Sequence, residues 1–188
     1  MSNDFVLSDG GKKIELLSRD LDDWRITFIN TGLHSNIGQR LLHVRNYLEG
    51  EEEFLANYAD GLSDLPLDRQ IADFRRRDVT ASFLAVQTAQ SFHGVQSHDE
   101  GNVTGFGRMR DTDFLINAGF FCLRRNIFDY IEEGEELVER PFQRLIAQRK
   151  LSVYRYQGFW QSMDTFKDKI TFDRMEGRGE CPWMVWKR

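Results

Sequence analysis

Asp60 stands just past the apolar run Phe54-Leu55-Ala56-Asn57-Tyr58 and is followed at once by Gly61. An acid at such a point has two readings. The Asp-Gly pair makes a turn, or the carboxylate meets a ligand, because open α/β sheets handle ligands at the carboxyl ends of their strands. In the second reading a lone carboxylate suits a hard divalent cation such as Mg2+, which takes one or two protein carboxylates and completes its shell with phosphate oxygens and water. A second acid, Asp164, stands before a helical pattern whose cap is Asp164 or Thr165. Asn117 interrupts the apolar stretch Leu115 to Leu123, either as a satisfied buried amide or as a hydrogen-bonding group for a polar ligand. Gly119, two residues on, lets something approach the backbone. His34, His43, His93 and His98 show no metal-ligand spacing with Cys122 or Cys181, so no zinc site is assigned. Gly10-Gly11-Lys12 lacks the spacing of a phosphate loop and no helix pattern follows it.

Positioning these groups requires strands and helices in alternation. Phe5 to Leu17 reads as two short strands around Asp9-Gly10-Gly11, a hairpin or extended arm. Trp24 to Ile29 alternates as a strand, and Asn36 stands where it caps a helix with Ile37, Leu41, Val44 and Leu48 on one face. After the strand Phe54 to Tyr58, Ser63 or Asp64 reads as the cap of a helix carrying Leu67, Ile71 and Phe74. The basic run Arg75-Arg76-Arg77 closes that helix and complements its dipole. Val79 to Val86 reads as a strand, and shorter strands around Phe92 to Val95 and Val103 to Phe106 form a β-rich insert. Leu115 to Leu123 reads as one buried strand. Helical patterns follow over Ile127 to Ile131 and Leu137 to Ala147, with Pro141 a kink or restart, then an edge strand from Leu151 to Tyr156. No internal repeat, linker or low-complexity tract appears.

The chain has 188 residues, 40% hydrophobic and 29% charged, enough for one domain with a real core. A net charge of −5, with Lys and Arg scattered among acids, argues against nucleic acid or anionic membrane as the main partner. No apolar run reaches a membrane span and the start Met1-Ser2-Asn3-Asp4 has no basic or apolar leader pattern, so a cytoplasmic protein with reduced, packing cysteines is expected.

The ordered set Thr31-Gly32, Gly38-Gln39-Arg40, Tyr58-Ala59-Asp60-Gly61, Ile116-Asn117-Ala118-Gly119-Phe120-Phe121, Gly158-Phe159-Trp160 with Met163-Asp164-Thr165, and Pro182-Trp183 resembles the sugar-1-phosphate nucleotidyltransferases. Among these it is most similar to the glucose-1-phosphate cytidylyltransferases, from about Phe5 onward. The resemblance implies an incomplete Rossmann-like, GT-A-like α/β fold: a mixed sheet with flanking helices and a β-rich insert, as one domain over residues 1–188. It implies transfer of CMP from CTP to glucose 1-phosphate, giving CDP-glucose and pyrophosphate, with Mg2+ held by Asp60 and Asp164. Gly38, Gln39 and Arg40 would lie near the nucleotide, and Asn117, Gly119 and Glu139 near the sugar phosphate. Such catalysis is mostly positioning and charge neutralisation during in-line attack on the α-phosphorus.

Two family features are missing: a Gly-Gly-x-Gly-Thr-Arg loop and a later Pro-Lys-Pro lysine, which bind the triphosphate. Where relatives carry a sugar-phosphate lysine, this chain has Gly107-Arg108-Met109-Arg110, and Arg110 or Arg108 substitutes as the phosphate cation, with different geometry. Asn30 and Ala118 stand where Asp and Gly are expected. Losing several charge-stabilising donors costs on the order of 10⁶-fold in rate, by compounding about 10²- to 10³-fold per donor. The absent unit also supplies a central strand, so an open sheet edge is expected. The expectation is therefore a homo-oligomer, pairing with another chain, or a chain truncated at its N-terminus. The alternative function is a non-catalytic sugar-phosphate-binding or assembly subunit. A metal-dependent glycosyltransferase ranks last, because Asp60 and Asp64 have the wrong spacing for an Asp-x-Asp pair.

Overall fold

Residues 5–17, 25–87, 93–98, 102–108 and 113–187 are described in a computed structural model, and they fall into two units, Met1–Gly32 and Leu33–Arg188. In the first, β1 (Phe5–Ser8) and β2 (Lys13–Leu16) pair antiparallel, Phe5 opposite Leu16 and Ser8 opposite Lys13. Asp9, Gly10 and Gly11 turn the chain at φ 52°, 61° and 89°, a region Gly and Asp enter at least cost. The hairpin reading of this stretch is the one observed. The strand expected from Trp24 to Ile29 is absent over 25–29, and Trp24 lies outside the described residues. Alternation alone does not make a strand; its backbone needs a ladder partner, and none of the described strands pairs there.

The second unit begins with α1 (Ile37–Val44), capped by Asn36: its side chain accepts from the Gln39 amide, and Gln39 returns a bond to the Asn36 amide. Such a reciprocal box satisfies two donors that a helix start leaves open. Then come β3 (Glu53–Ala56), β4 (Gly61–Ser63), α2 (Leu67–Arg77), β5 (Ala81–Gln87), β6 (His93–Ser97), β7 (Val103–Arg108), β8 (Leu115–Asn117) and β9 (Phe121–Arg124). The unit closes with α3 (Arg140–Ala147), β10 (Leu151–Tyr156), β11 (Trp160–Ser162) and α4 (Phe166–Gly177).

A five-stranded mixed sheet runs β10-β5-β9-β3, with β8 also on β5. Only β10 on β5 is parallel; β3 on β9, and β8 and β9 on β5, are antiparallel. Side chains alternate across it. Phe121 and Leu123 pack with Leu41 of α1 and Phe142 and Leu145 of α3, while Cys122 turns to Phe74 of α2. Helices thus cover both faces, and β6 with β7 forms the β-rich insert as a separate hairpin. Among the described residues no helix is long and apolar enough to cross a membrane.

Three expected elements are redrawn by long-range hydrogen bonds. The strand expected to run to Tyr58 ends at Ala56, because Asn57 Oδ1 accepts from the Phe120 amide, 2.8 Å, in place of a ladder bond. The expected strand over Leu115–Leu123 is two strands: Gly119 and Phe120 sit at φ 75° and 48°, breaking the pleat between β8 and β9. Neither Ser63 nor Asp64 caps α2, since Ser63 pairs with Trp160 and the Asp64 amide donates to Phe159 O, so the helix starts at Leu67. Pro141 lies in the first turn of α3, where its missing N–H costs nothing; this is the restart of the two readings. Ile127–Ile131 forms only a 3-10 turn over Arg125–Asp129. β10 is the edge strand expected, and the far edge, β3, has one partner among the described strands.

Candidate functional site

A cleft of about 500 Å3 opens where α1 passes the end of β3, lined among others by Arg40, Leu41, Tyr58, Asp60, Phe121 and Leu137. Its floor is apolar and two charged groups stand on it, one of each sign. Asp60 occupies the turn between β3 and β4. Among the described residues no hydrogen bond or ion pair engages its carboxylate.

A short ladder places the second acid at the same end as the first. β4 and β11 pair antiparallel with Gly61 opposite Ser162, and the Met163 amide carries the ladder one step further by donating to Asp60 O at 2.9 Å. Asp164 is the next residue, so both carboxylates hang from one end of two adjacent strands, whose backbones lie about 4.8 Å apart. Ser162 Oγ donates to Asp164 Oδ2 at 2.6 Å, which orients the carboxylate. Thr165 then caps α4, with its reciprocal partner Asp168, so Thr165 is the cap of the two candidates.

Tyr58 lines the same cleft as Asp60. Its ring meets Phe121 edge-on at 5.3 Å, and its hydroxyl accepts from Asn117 Nδ2 at 3.1 Å. Burial raises its pKa above the ordinary phenol value; the bond from Asn117 opposes this, and the carboxylates of Glu136 and Asp60 add to it. The phenol is therefore neutral at physiological pH. Asn117 Oδ1 in turn accepts from the Gly119 amide at 3.0 Å, so the Asn117 amide is engaged on both sides by the protein itself.

Gly119 does admit a close approach, and its neighbours are internal: a Cβ there would lie 2.5 Å from Asn57 Oδ1 and 3.0 Å from Tyr58 Cδ2. Gly38 is similar. A Cβ on it would overlap the Glu135 carbonyl, so the glycine lets α1 dock on that backbone, and Gln39 is committed to the helix cap. Of the three residues expected at the nucleotide, Arg40 alone lines the cleft.

The acidic stretch before α3 is structural in part. Glu136 Oε2 accepts from the Ile37 amide at 3.1 Å, Asn36 Nδ2 donates to Gly134 O at 2.9 Å, and Glu135 pairs with Arg144. Glu139 precedes α3, makes no cap with its side chain and is exposed. Arg110 lies outside the described residues, and its alternate Arg108 sits on β7 opposite His93.

Two carboxylates carried at the same end of one ladder offer hard oxygen donors of the kind Mg2+ takes together with phosphate oxygens; among the described residues no group of three or more metal-ligating side chains forms. Sequence reasoning missed Asn57, Tyr58 and Ser162. Tyr58 adjoins the Ala59-Asp60-Gly61 turn and was legible by position, whereas Ser162 acts only through the β4·β11 register.

No family model matches the chain. The chain is 30% identical over 186 residues to a Bacillus subtilis protein named as a probable glucose-1-phosphate cytidylyltransferase, covering 98% of this chain and 72% of that protein. It is 30% identical over 177 residues to the glucose-1-phosphate cytidylyltransferase of Salmonella typhi, covering 93% and 68%. A solved structure, a putative glucose-1-phosphate thymidylyltransferase from Bacillus anthracis, superposes with a TM-score of 0.53 at 12% identity, covering 77% of this chain and 61% of that one. At that identity the superposition shows the fold alone, and the chain spans less than two thirds of that structure.

Proposed function

Because the chain belongs to the glucose-1-phosphate cytidylyltransferase family, we propose that its cleft serves CMP transfer from CTP to glucose 1-phosphate, giving CDP-glucose and pyrophosphate. The observation that supports this reading is that Asp60 and Asp164 are carried at the same end of the β4·β11 ladder, with Asp60 and Arg40 lining one cleft. Asp60 and Asp164 would hold Mg2+, which when bound supplies charge neutralisation at the phosphates. Arg40 contributes a cation to the same cleft, suited to a phosphate oxygen. Tyr58, held neutral, offers a hydroxyl toward the substrate side. Asn117 and Gly119 act by fixing Tyr58 and the turn behind it, and Arg110 and Glu139 remain proposed sugar-phosphate contacts.

The test is product formation by this chain with CTP, glucose 1-phosphate and Mg2+, followed by 31P NMR at high protein concentration. CDP-glucose and pyrophosphate are expected from the wild type. Asp60→Asn is expected to slow their appearance by about 10²- to 10³-fold, the cost of one preorganised charge-stabilising group. Equal rates in both proteins would overturn the assignment.

A second reading, an assembly subunit that binds a sugar phosphate, is favoured by the β3 edge. Leu55 on that strand is 49% exposed, a cleft opens on each side of it, and an unpaired edge is a template for a further strand. Under this reading the edge takes a strand from another polypeptide. No turnover, with glucose 1-phosphate binding retained in calorimetry, would favour it.

A further inference from the structure

We propose that Asp64 is the positioning residue that sets the spacing of the Asp60 and Asp164 carboxylates, an inference that rests on the metal-binding reading of that pair. Asp64 does not line the cleft. Its Oδ1 accepts from Tyr156 Oη at 2.7 Å and from the Phe159 amide at 2.8 Å. The Tyr156 hydroxyl lies 3.1 Å from Asp64 O as well. The Asp64 amide donates to Phe159 O at 3.2 Å, and Ser63 Oγ donates to the same carbonyl at 2.7 Å. The segment around Asp64 is thus laced to the turn that launches β11.

That turn is wrapped tightly, for a Cβ at Gly158 would overlap the Tyr156 hydroxyl. The lacing has a specific consequence because the β4·β11 ladder is short. Three residue pairs make it, from Trp160 opposite Ser63 to Ser162 opposite Gly61, and a two-stranded ladder of that length is marginal by itself. A slip of one residue would send alternate side chains to the opposite face and change the offset between Asp164 and Asp60. Asp64 closes the ladder at one end, the Met163–Asp60 bond closes it at the other, and Trp160 Nε1 to Ala118 O, 3.0 Å, fastens β11 to the sheet's end. Among these fastenings Asp64 is the charged one, and hydrogen bonds to a charged acceptor are roughly twice as strong as neutral ones.

The experiment is a titration of the chain with Mn2+ alone, read by electron paramagnetic resonance at low temperature, with circular dichroism confirming that each variant is folded. Asp60→Asn calibrates the site and is expected to lose affinity by at least about tenfold. Asp64→Ala is expected to weaken Mn2+ binding by about 10- to 100-fold, the usual cost of losing an outer partner of a metal site. Asp64→Asn keeps the shape and one acceptor oxygen without the charge, so it is expected to restore part of that loss, and Tyr156→Phe, which removes the hydroxyl donor, to weaken binding less than Asp64→Ala does. Where Asp64→Ala does not fold, Asp64→Asn and Tyr156→Phe decide by the same measure. Weakening by Asp60→Asn with none from the folded variants at positions 64 and 156 overturns the positioning role and leaves the metal reading standing. No weakening by Asp60→Asn overturns the metal reading, and the positioning role with it.

Discussion

Two turns meet beside the cleft, and they spend their polar groups in opposite ways. In the turn of residues 117–120, Asn117 bonds both Tyr58 and the Gly119 amide, Asn57 takes the Phe120 amide, Gln70 Nε2 donates to Phe120 O, and Trp160 donates to Ala118 O. In the turn at Asp60, among the described residues, only the backbone is used, by Met163, while the carboxylate stays on the cleft wall. The first turn is a bracket whose polar atoms define its shape. The second is held from outside, by the β4·β11 ladder, and so keeps its side chain for a ligand. A group satisfied by its own protein stabilises the fold; a charge left beside an apolar floor offers itself to a partner.

Breaking the bracket has the larger effect on stability. Gly119→Ala places a Cβ against Asn57 Oδ1 at a backbone angle that L side chains rarely adopt, and the expected loss is about 2 kcal/mol, measured by urea unfolding. An unchanged midpoint would show that the bracket relaxes freely. A smaller effect, sensitive to pH, comes from the acidic stretch before α3. Hydrogen bonding from Arg144 is the main cause that holds the Glu135 carboxyl at about 2, against an ordinary value of 4.5. The folded pKa is the lower one, so this contribution is complete above the unfolded value and is lost as pH falls through the folded value. The thermal midpoint of Glu135→Gln is therefore expected to lie below that of wild type at neutral pH, with the gap closing between about pH 4.5 and 2; a gap independent of pH would contradict the pairing. The smallest effect belongs to the open turn. Asp60→Asn is expected to change stability by less than about 0.5 kcal/mol, since among the described residues no hydrogen bond or ion pair engages that carboxylate.

The same contrast explains what the sequence makes legible. The Asn36 cap, the helix carrying Leu67, Ile71 and Phe74, the strand near Val79–Val86 and the N-terminal hairpin follow from local rules, and they form with shifted ends. The breaks at Asn57 and Gly119 do not, because each depends on a partner far along the chain. Gly38 and Gln39 illustrate a different limit: a glycine chosen for helix docking and a glutamine chosen for a cap have the same letters as ligand-binding ones. Asp60 and Asp164 were paired through the resemblance of their surroundings to a family. Residue patterns alone give no sign that the two would share a ladder, because Ser162 opposite Gly61 is a matter of register.

The central claim is that Asp60 and Asp164 act as one unit. A double-mutant cycle on CDP-glucose formation, with Asp60→Asn, Asp164→Asn and the pair together, tests it most directly. Groups that hold one ion lose their function together, so each single change is expected to cost about 10²-fold or more, and the double variant is expected to be no slower than the worse single one. Losses that multiply across the two positions, or wild-type turnover in either single variant, would contradict the account.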